Sequence, residues 1–340
     1  MTDRSGSSRT GIIVLYLVLL AGFFAASFFT DIRIWGISTW GYFPLWGRLV
    51  LLGIGLACIP LALKVGRDEL SDSRATTRTW VLATIGAAVV AGVCFWVFRG
   101  QTHFLGDGYV NLALLAAKAP YVVNRDFGEM QAHLQLASML GGNNKENVLL
   151  SYQILSVTAG ILFLVLVAWT ARRLFERSRD AVLFTLLVML SGQVLLFFGY
   201  VENYSLFVLS VGGFTCFGLL SARGMLPRWT ILIPLICAIG CHIFGLILLV
   251  PAAYLLLAGG RIERRFAESS FALKVVMILA SVALAATGLW LATDYSMFLR
   301  VSLLSFTETR FTVQGYTLVS PDHLADLGNF LLLLIPGLPL

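Results

Sequence analysis

Asp107 stands between two glycines, Gly106 and Gly108. Glycine lets a backbone turn tightly and brings a neighbouring carboxylate close to a bound molecule. Asp107 is therefore a candidate general base or charged ligand; an Asx-type turn is the plainer alternative. Glu202 is the second candidate. It sits in Tyr200-Val201-Glu202-Asn203-Tyr204, a turn of a few residues between two apolar runs, where an acidic group is costly and tends to be paired or functional. The polar stretch around Asp107 adds His103, Arg125, Asp126, Glu129 and His133. Of these, Glu129 reads best as a surface charge. His242 lies inside an apolar run, as a site residue or a hydrogen-bonded buried one. Asp322, His323 and Asp326 have the spacing of one helix face, which a solvated outer face would share.

The elements that must position these residues are apolar. The chain is 58% hydrophobic and 12% charged, against about 25% charged in a soluble domain, and its mean hydropathy is +0.86. Apolar segments of about 20 residues imply membrane-spanning helices, because a backbone in lipid must satisfy its own hydrogen bonds. The expected fold is all-α: a polytopic transmembrane bundle with long extracytoplasmic loops that carry short interfacial helices. Three regions are expected: residues 1–98 with three spans, 99–147 as an extracytoplasmic loop, and 148–340 as the remaining membrane region, truncated at its end because residues 330–340 are too few to cross a bilayer.

Within the loop, Tyr109–Ala117 and Met130–Leu140 are expected as two helices, with Gly141-Gly142-Asn143-Asn144 as the turn that follows. Ala181–Gly199 reads as one span. Arg48 reads as a snorkelling arginine near a span's end. Trp229–Leu257 would make a helix of roughly 43 Å, too long for a single crossing of a ~30 Å core. A break near Gly240-Cys241-His242 would return the basic loop Arg261–Arg265 to the cytoplasm. Ser320-Pro321 reads as the cap and first residue of a helix.

The net charge of +6 does not point to nucleic acid. Most Lys and Arg fall in short loops on one side, the positive-inside pattern, so the N-terminus is expected in the cytoplasm and the four histidines outside or in the hairpin. The five cysteines all lie in apolar segments, as small buried residues rather than a disulfide framework. No Walker loop, HExxH, GxSxG or Rossmann fingerprint occurs in a supporting context.

The order of Phe104-Leu105-Gly106-Asp107-Gly108-Tyr109, the Asp126 to His133 stretch, Phe198-Gly199-Tyr200-Val201-Glu202-Asn203-Tyr204, His242 before Pro251, and Ser320-Pro321-Asp322-His323 resembles GT-C-fold membrane glycosyltransferases. The mannosyltransferase and aminoarabinose-transferase types are the closest in kind. The resemblance implies a cell-envelope enzyme that moves a sugar from a polyprenyl-phosphate donor, in the bilayer, to a glycan, lipid or protein acceptor. It implies Asp107 and Glu202 as catalytic residues, and His103, Arg125, Asp126, His133, His242 and His323 as substrate ligands. Arg300 and Arg310 are further candidates to hold the phosphate. Asp107 follows the third span instead of the first, so two spans would be an N-terminal addition. No Asp-X-Asp pair stands at 107, so a divalent cation, Mg or Mn, is admitted but not required. A transporter or lipid flippase and a non-catalytic assembly protein are the competing readings.

Overall fold

The computed structural model describes residues 4–32, 34, 36–67, 75–103, 107–257, 270, 275 and 320–334. The expectations for residues 104–106, the basic loop at 261–265, the span at 271–292, Arg300, Arg310 and residues 335–340 lie outside these. Among the described residues every regular element is helical and no strand occurs. The chain forms two compact units, one of Met1–Glu69 with Glu263–Leu340 and the other of Leu70–Ile262. These units divide the chain at other points than the three regions expected from sequence.

In the first unit, α1 (Arg4–Ala26) and α2 (Leu45–Arg67) are tied by Tyr16, whose hydroxyl donates to the Gly55 carbonyl at 3.0 Å. Arg48 does not snorkel. Its guanidinium donates to the carbonyls of Phe43 (2.9 Å), Ser27 (2.8 Å) and Gly41 (2.8 Å) and lies over the Phe28 ring. Five fixed donors let one arginine gather three carbonyls left unpaired by the link between the two helices. The helix Pro321–Leu334 starts as its sequence foretells, with Ser320 Oγ accepting from the His323 amide at 3.3 Å. It runs on through residue 330, where the sequence suggested a separate span. Asn329 Oδ1 accepts from the Gly36 amide at 3.1 Å.

The second unit holds three helices long and apolar enough to cross a membrane: α3 (Thr77–Val97), α6 (Lys145–Leu174) and α8 (Ser205–Ala222). They make this a membrane protein. Between them lie α4 (Gly108–Leu115), α5 (Phe127–Met139) and α7 (Ser178–Met189). The helix α6 is the axis. Asn144 caps it, its side chain accepting from the Asn147 amide at 2.8 Å, after a turn in which Gly141 and Gly142 both have φ of 119°, a conformation glycine adopts without steric cost. Thirty residues give roughly 45 Å of helix, more than the ~30 Å hydrocarbon core needs. The surplus length lets the first turns of α6 serve as a platform for the loop helices. There Val148 and Tyr152 pack with Leu112 and Leu115 of α4, Met130 and Ala137 of α5, and Val201. Midway, Gly160 lies against Phe95 and Phe197, in a core completed by Val157, Phe163, Val167 and Val194.

Two departures from continuous spans matter. The expected span 181–199 stops at Met189; Ser191 is extended (φ −75°, ψ 151°) and a 3-10 turn, Gly192–Phe197, follows. A Ser-Gly pair is a common place for such an interruption. The long segment near His242 breaks where expected. A helix α9 (Leu232–Cys241) ends at His242, which is extended (φ −151°, ψ 139°), and a 3-10 turn leads into α10 (Leu249–Leu257). The chain folds back on itself there: Gly245 lies directly against the backbone of Ala238 and Ile239, and Ile231 and Leu235 share a cluster with Ala252, Leu248 and Leu255.

The polar side chains of this unit separate along the axis of α6. Near its C-terminal end are Arg172 and Arg173, with Arg172 donating to the Ala75 carbonyl at 2.8 Å. Near its N-terminal end converge Asp107, Arg125, Asp126, Glu129, Glu202 and His242.

Candidate functional site

Asp107 occupies the position just before α4, and its carbonyl accepts from the Asn111 amide at 2.8 Å. Its side chain makes no cap hydrogen bond to that helix, so the Asx-turn alternative does not describe it. The carboxylate is 60% exposed and meets Arg125, with Nη2 to Oδ2 at 3.3 Å. Its backbone is fixed from elsewhere: Glu202 Oε1 accepts from the Asp107 amide at 2.8 Å. Gly108 is needed for this approach, since a Cβ there would lie 2.8 Å from His103 Cβ and 2.9 Å from the carbonyls of His103 and Val201.

Glu202 is buried. Burial raises its carboxyl to about 6, opposed by the bond from the Asp107 amide and aided by the nearby Asp107 charge.

Asp126 is buried and gathers three partners. His242 Nε2 lies 2.9 Å from its Oδ1. Asn203 Nδ2 donates to its Oδ2 at 3.2 Å, and Arg125 Nε to the same oxygen at 3.4 Å. Burial works against the charge on Asp126, yet the close His242, the bond from Asn203 and the nearby Arg125 outweigh it and hold the carboxyl below its ordinary value. Burial also works against the Arg125 charge, and Asp126 and Asp107 more than restore it, so the guanidinium stays charged. Behind this layer the Tyr152 hydroxyl donates to Asn203 Oδ1 at 2.7 Å.

Glu129, in the first turn of α5, is the largest departure from its sequence reading. It is fully buried. Its Oε1 accepts from the Leu206 amide at 2.8 Å and its Oε2 from the Phe207 amide at 3.1 Å. Those amides belong to the first turn of α8, where no side chain of that helix supplies a cap. A helix leaves its first N–H groups without partners and carries partial positive charge there, so a carboxylate from another helix meets both needs. Burial nonetheless raises the carboxyl to about 8, against the pull of these amides.

The histidines divide. His242 sits at the centre of the polar network, its ring 5.2 Å from that of Tyr204 and 5.3 Å from that of Phe207. His103 flanks Asp107 beneath Gly108, edge-on to Tyr109 and Tyr200 at 5.9 and 5.7 Å; burial lowers its pKa. His133 is fully buried, stacked 3.6 Å from the Tyr152 ring, and burial takes it down to about 3. It packs behind the network, away from solvent. His323 belongs to the other unit.

Of the residues proposed from sequence, Asp107, Glu202, Arg125, Asp126 and His242 thus meet in one network, with His103 beside it and His133 behind it. Sequence reasoning missed Asn203 and Tyr152, and misread Glu129. The Asn203 signal was present: it neighbours Glu202 in the same short turn, so a turn that positions one side chain near Asp107 places the other close by. No group of three or more His, Cys, Asp or Glu among the described residues is arranged to hold a metal ion.

The fold and site therefore define a membrane protein whose regular elements, among the described residues, are all helical, with a charged network near one end of α6. No protein-family model, curated protein or solved structure matches the chain.

Proposed function

We propose that this protein is a GT-C-like membrane glycosyltransferase that moves a sugar from a polyprenyl phosphate to an extracytoplasmic acceptor, with Asp107 as general base. The observation that carries the reading is the state of Asp107: a solvent-facing carboxylate whose backbone is pinned by the buried Glu202 and whose partner is the half-exposed Arg125. A polyprenyl-phosphate sugar is already activated. Transfer requires Asp107 to take the acceptor hydroxyl proton as that oxygen bonds to the anomeric carbon. The bond from that carbon to the phosphate oxygen breaks, and the phosphate leaves with the electron pair. Arg125 uses Nε and Nη2 on the two aspartates and has further N–H groups to offer the departing phosphate. Releasing Asp107 from Arg125 costs little, since exposed ion pairs are worth at most about 1 kcal/mol. In this reading Glu202 anchors the base, and Asp126 and His242 hold the arginine. The arginines near the far end of α6 support, by the positive-inside rule, a reading with that end in the cytoplasm and the network outside.

The test uses the full chain in nanodiscs with undecaprenyl-phosphate mannose or aminoarabinose and membrane-derived acceptors, following release of polyprenyl phosphate. Asp107→Asn keeps size and most hydrogen bonding and removes the basic carboxylate. Turnover should fall by about 10²–10⁴-fold, the usual contribution of general-base assistance. Undiminished turnover by the variant would remove Asp107 from the chemistry. Failure of the wild type on these donors, with transbilayer movement of the lipid in its place, would support the flippase reading.

A further inference from the structure

We propose that His242 is a positioning residue, which through Asp126 sets the orientation of Arg125 on Asp107 and so wires the α9–α10 hairpin to the exposed carboxylate. The inference rests on the proposed function only in assigning Arg125 to the donor phosphate; the linkage itself stands on geometry.

That linkage can be followed atom by atom. The Phe244 amide donates to His242 Nδ1 at 3.0 Å. An imidazole nitrogen that accepts carries no proton, so the ring proton belongs on Nε2. Nε2 is the atom 2.9 Å from Asp126 Oδ1. The second oxygen of Asp126 is then left for Arg125 Nε and Asn203 Nδ2. A guanidinium is rigid and planar, so fixing Nε on Asp126 fixes the direction of Nη2, which reaches Asp107 Oδ2. Asp126 and Arg125 are sequence neighbours, whereas His242 is brought in by the break between α9 and the turn after it. The break leaves His242 extended, with its ring against Tyr204, Phe207 and Phe244. Three aromatic rings restrict the imidazole, and the Phe244 amide selects its tautomer. A buried histidine held in this way keeps its Nε2 in close contact with one carboxylate oxygen. Gly128 reinforces the junction, since it touches the Gly240 backbone directly and so seats α5, with Asp126 before it, against the end of α9.

Two substitutions separate positioning of Arg125 from support of the hairpin. The amide nitrogen of glutamine falls near the place of Nε2, so His242→Gln keeps a donor for Asp126 and gives up the acceptor for Phe244. Asparagine reaches only the place of Nδ1, so His242→Asn keeps a partner for Phe244 and gives up the contact with Asp126. The readout is the rate at which phenylglyoxal modifies Arg125 in the full chain in nanodiscs, followed by mass spectrometry of the peptide that contains it; it requires no substrate and no turnover. The Asn variant should raise that rate about tenfold, the scale of losing one close polar contact to a charged group. The Gln variant should stay within about twofold of wild type. A rate unchanged in the Asn variant, or raised equally in both, would overturn the proposal. Should either variant fail to fold, ¹⁵N shifts of the wild-type chain decide: a His242 proton on Nε2 alone is expected, and a proton on Nδ1 overturns it. Absence of transfer activity in the wild type, with these labelling results as expected, would count against the proposed function and leave the linkage standing.

Discussion

The same polar stretch carries two acids with opposite fates. Asp107 precedes α4 and faces solvent, with 60% of its side chain exposed. Glu129 lies in the first turn of α5 and has no exposed surface at all. The difference is made by what arrives from the segment at the start of α8. The turn before α8 sends Glu202 to the Asp107 amide and leaves that carboxylate exposed, with Arg125 as its partner. The start of α8 sends two unpaired amides to Glu129 and takes up both of its oxygens. A carboxylate engaged on two backbone amides is a joint of the fold, whereas one whose backbone is anchored and whose oxygens face water is available for chemistry.

Substitutions at the two acids should therefore divide cleanly. The largest effect expected anywhere in the molecule is the 10²–10⁴-fold loss of turnover for Asp107→Asn, with stability changed by less than about 0.5 kcal/mol, as usual for an exposed side chain. Glu129→Ala should do the reverse. It leaves two amides of α8 buried without acceptors, at about 1–3 kcal/mol for each such group, so destabilisation on the order of 3 kcal/mol is expected in reversible unfolding from mixed micelles. Equal stability loss at both positions would erase the distinction between joint and site.

Gly128→Ala should follow at about 2 kcal/mol, within the range for forcing an added methyl into a packed contact. Its Cβ would meet the Gly240 carbonyl, which is backbone and cannot swing away. The strain falls on the α5–α9 junction, so the Arg125 peptide should also become more reactive to phenylglyoxal. A silent Gly128→Ala variant would mean that α5 is seated by Glu129 alone.

Much of the frame was legible in the sequence because it follows from local rules. Tyr109–Ala117 and Met130–Leu140 announced α4 and α5 to within a few residues, through apolar periodicity. Ser320-Pro321 announced a helix start. The excess length of 229–257 announced the break at His242. What stayed hidden depends on partners distant in the chain. Glu129 looks like a surface charge until the first turn of α8, 77 residues on, is laid against it. Arg48 looks like a snorkelling side chain until three loop carbonyls surround it. The interruption after Met189 was overlooked because mean apolarity conceals a Ser-Gly pair. For the site, the sequence offered residue types without roles: His133 and His242 are equally plausible ligands on paper, yet one stacks behind Tyr152 and the other contacts Asp126.

The smallest effect expected is in the pH dependence of stability, and it separates the two regions by window. Burial raises Glu202 to about 6 and Glu129 to about 8 from an ordinary 4.5, while backbone amides pull each the other way. An acid with a raised folded value binds its proton more tightly folded than unfolded. Its favourable contribution is complete below about 4.5 and is lost as pH rises through the folded value. For Glu202 the decline should end near 6; for Glu129 it should continue to about 8. Glutamine cannot titrate in either place and keeps a carbonyl oxygen as acceptor. Unfolding midpoints of the solubilised chain should thus fall modestly between pH 6 and 8 in wild type and in Glu202→Gln, and stay flat there in Glu129→Gln. Between pH 4.5 and 6, Glu202→Gln should show a shallower decline than wild type. A Glu129→Gln chain that still weakens between pH 6 and 8 would show that the cap on α8 is already ionised at neutral pH, with the two amides outweighing burial, and the titrating group would have to be sought elsewhere in the network.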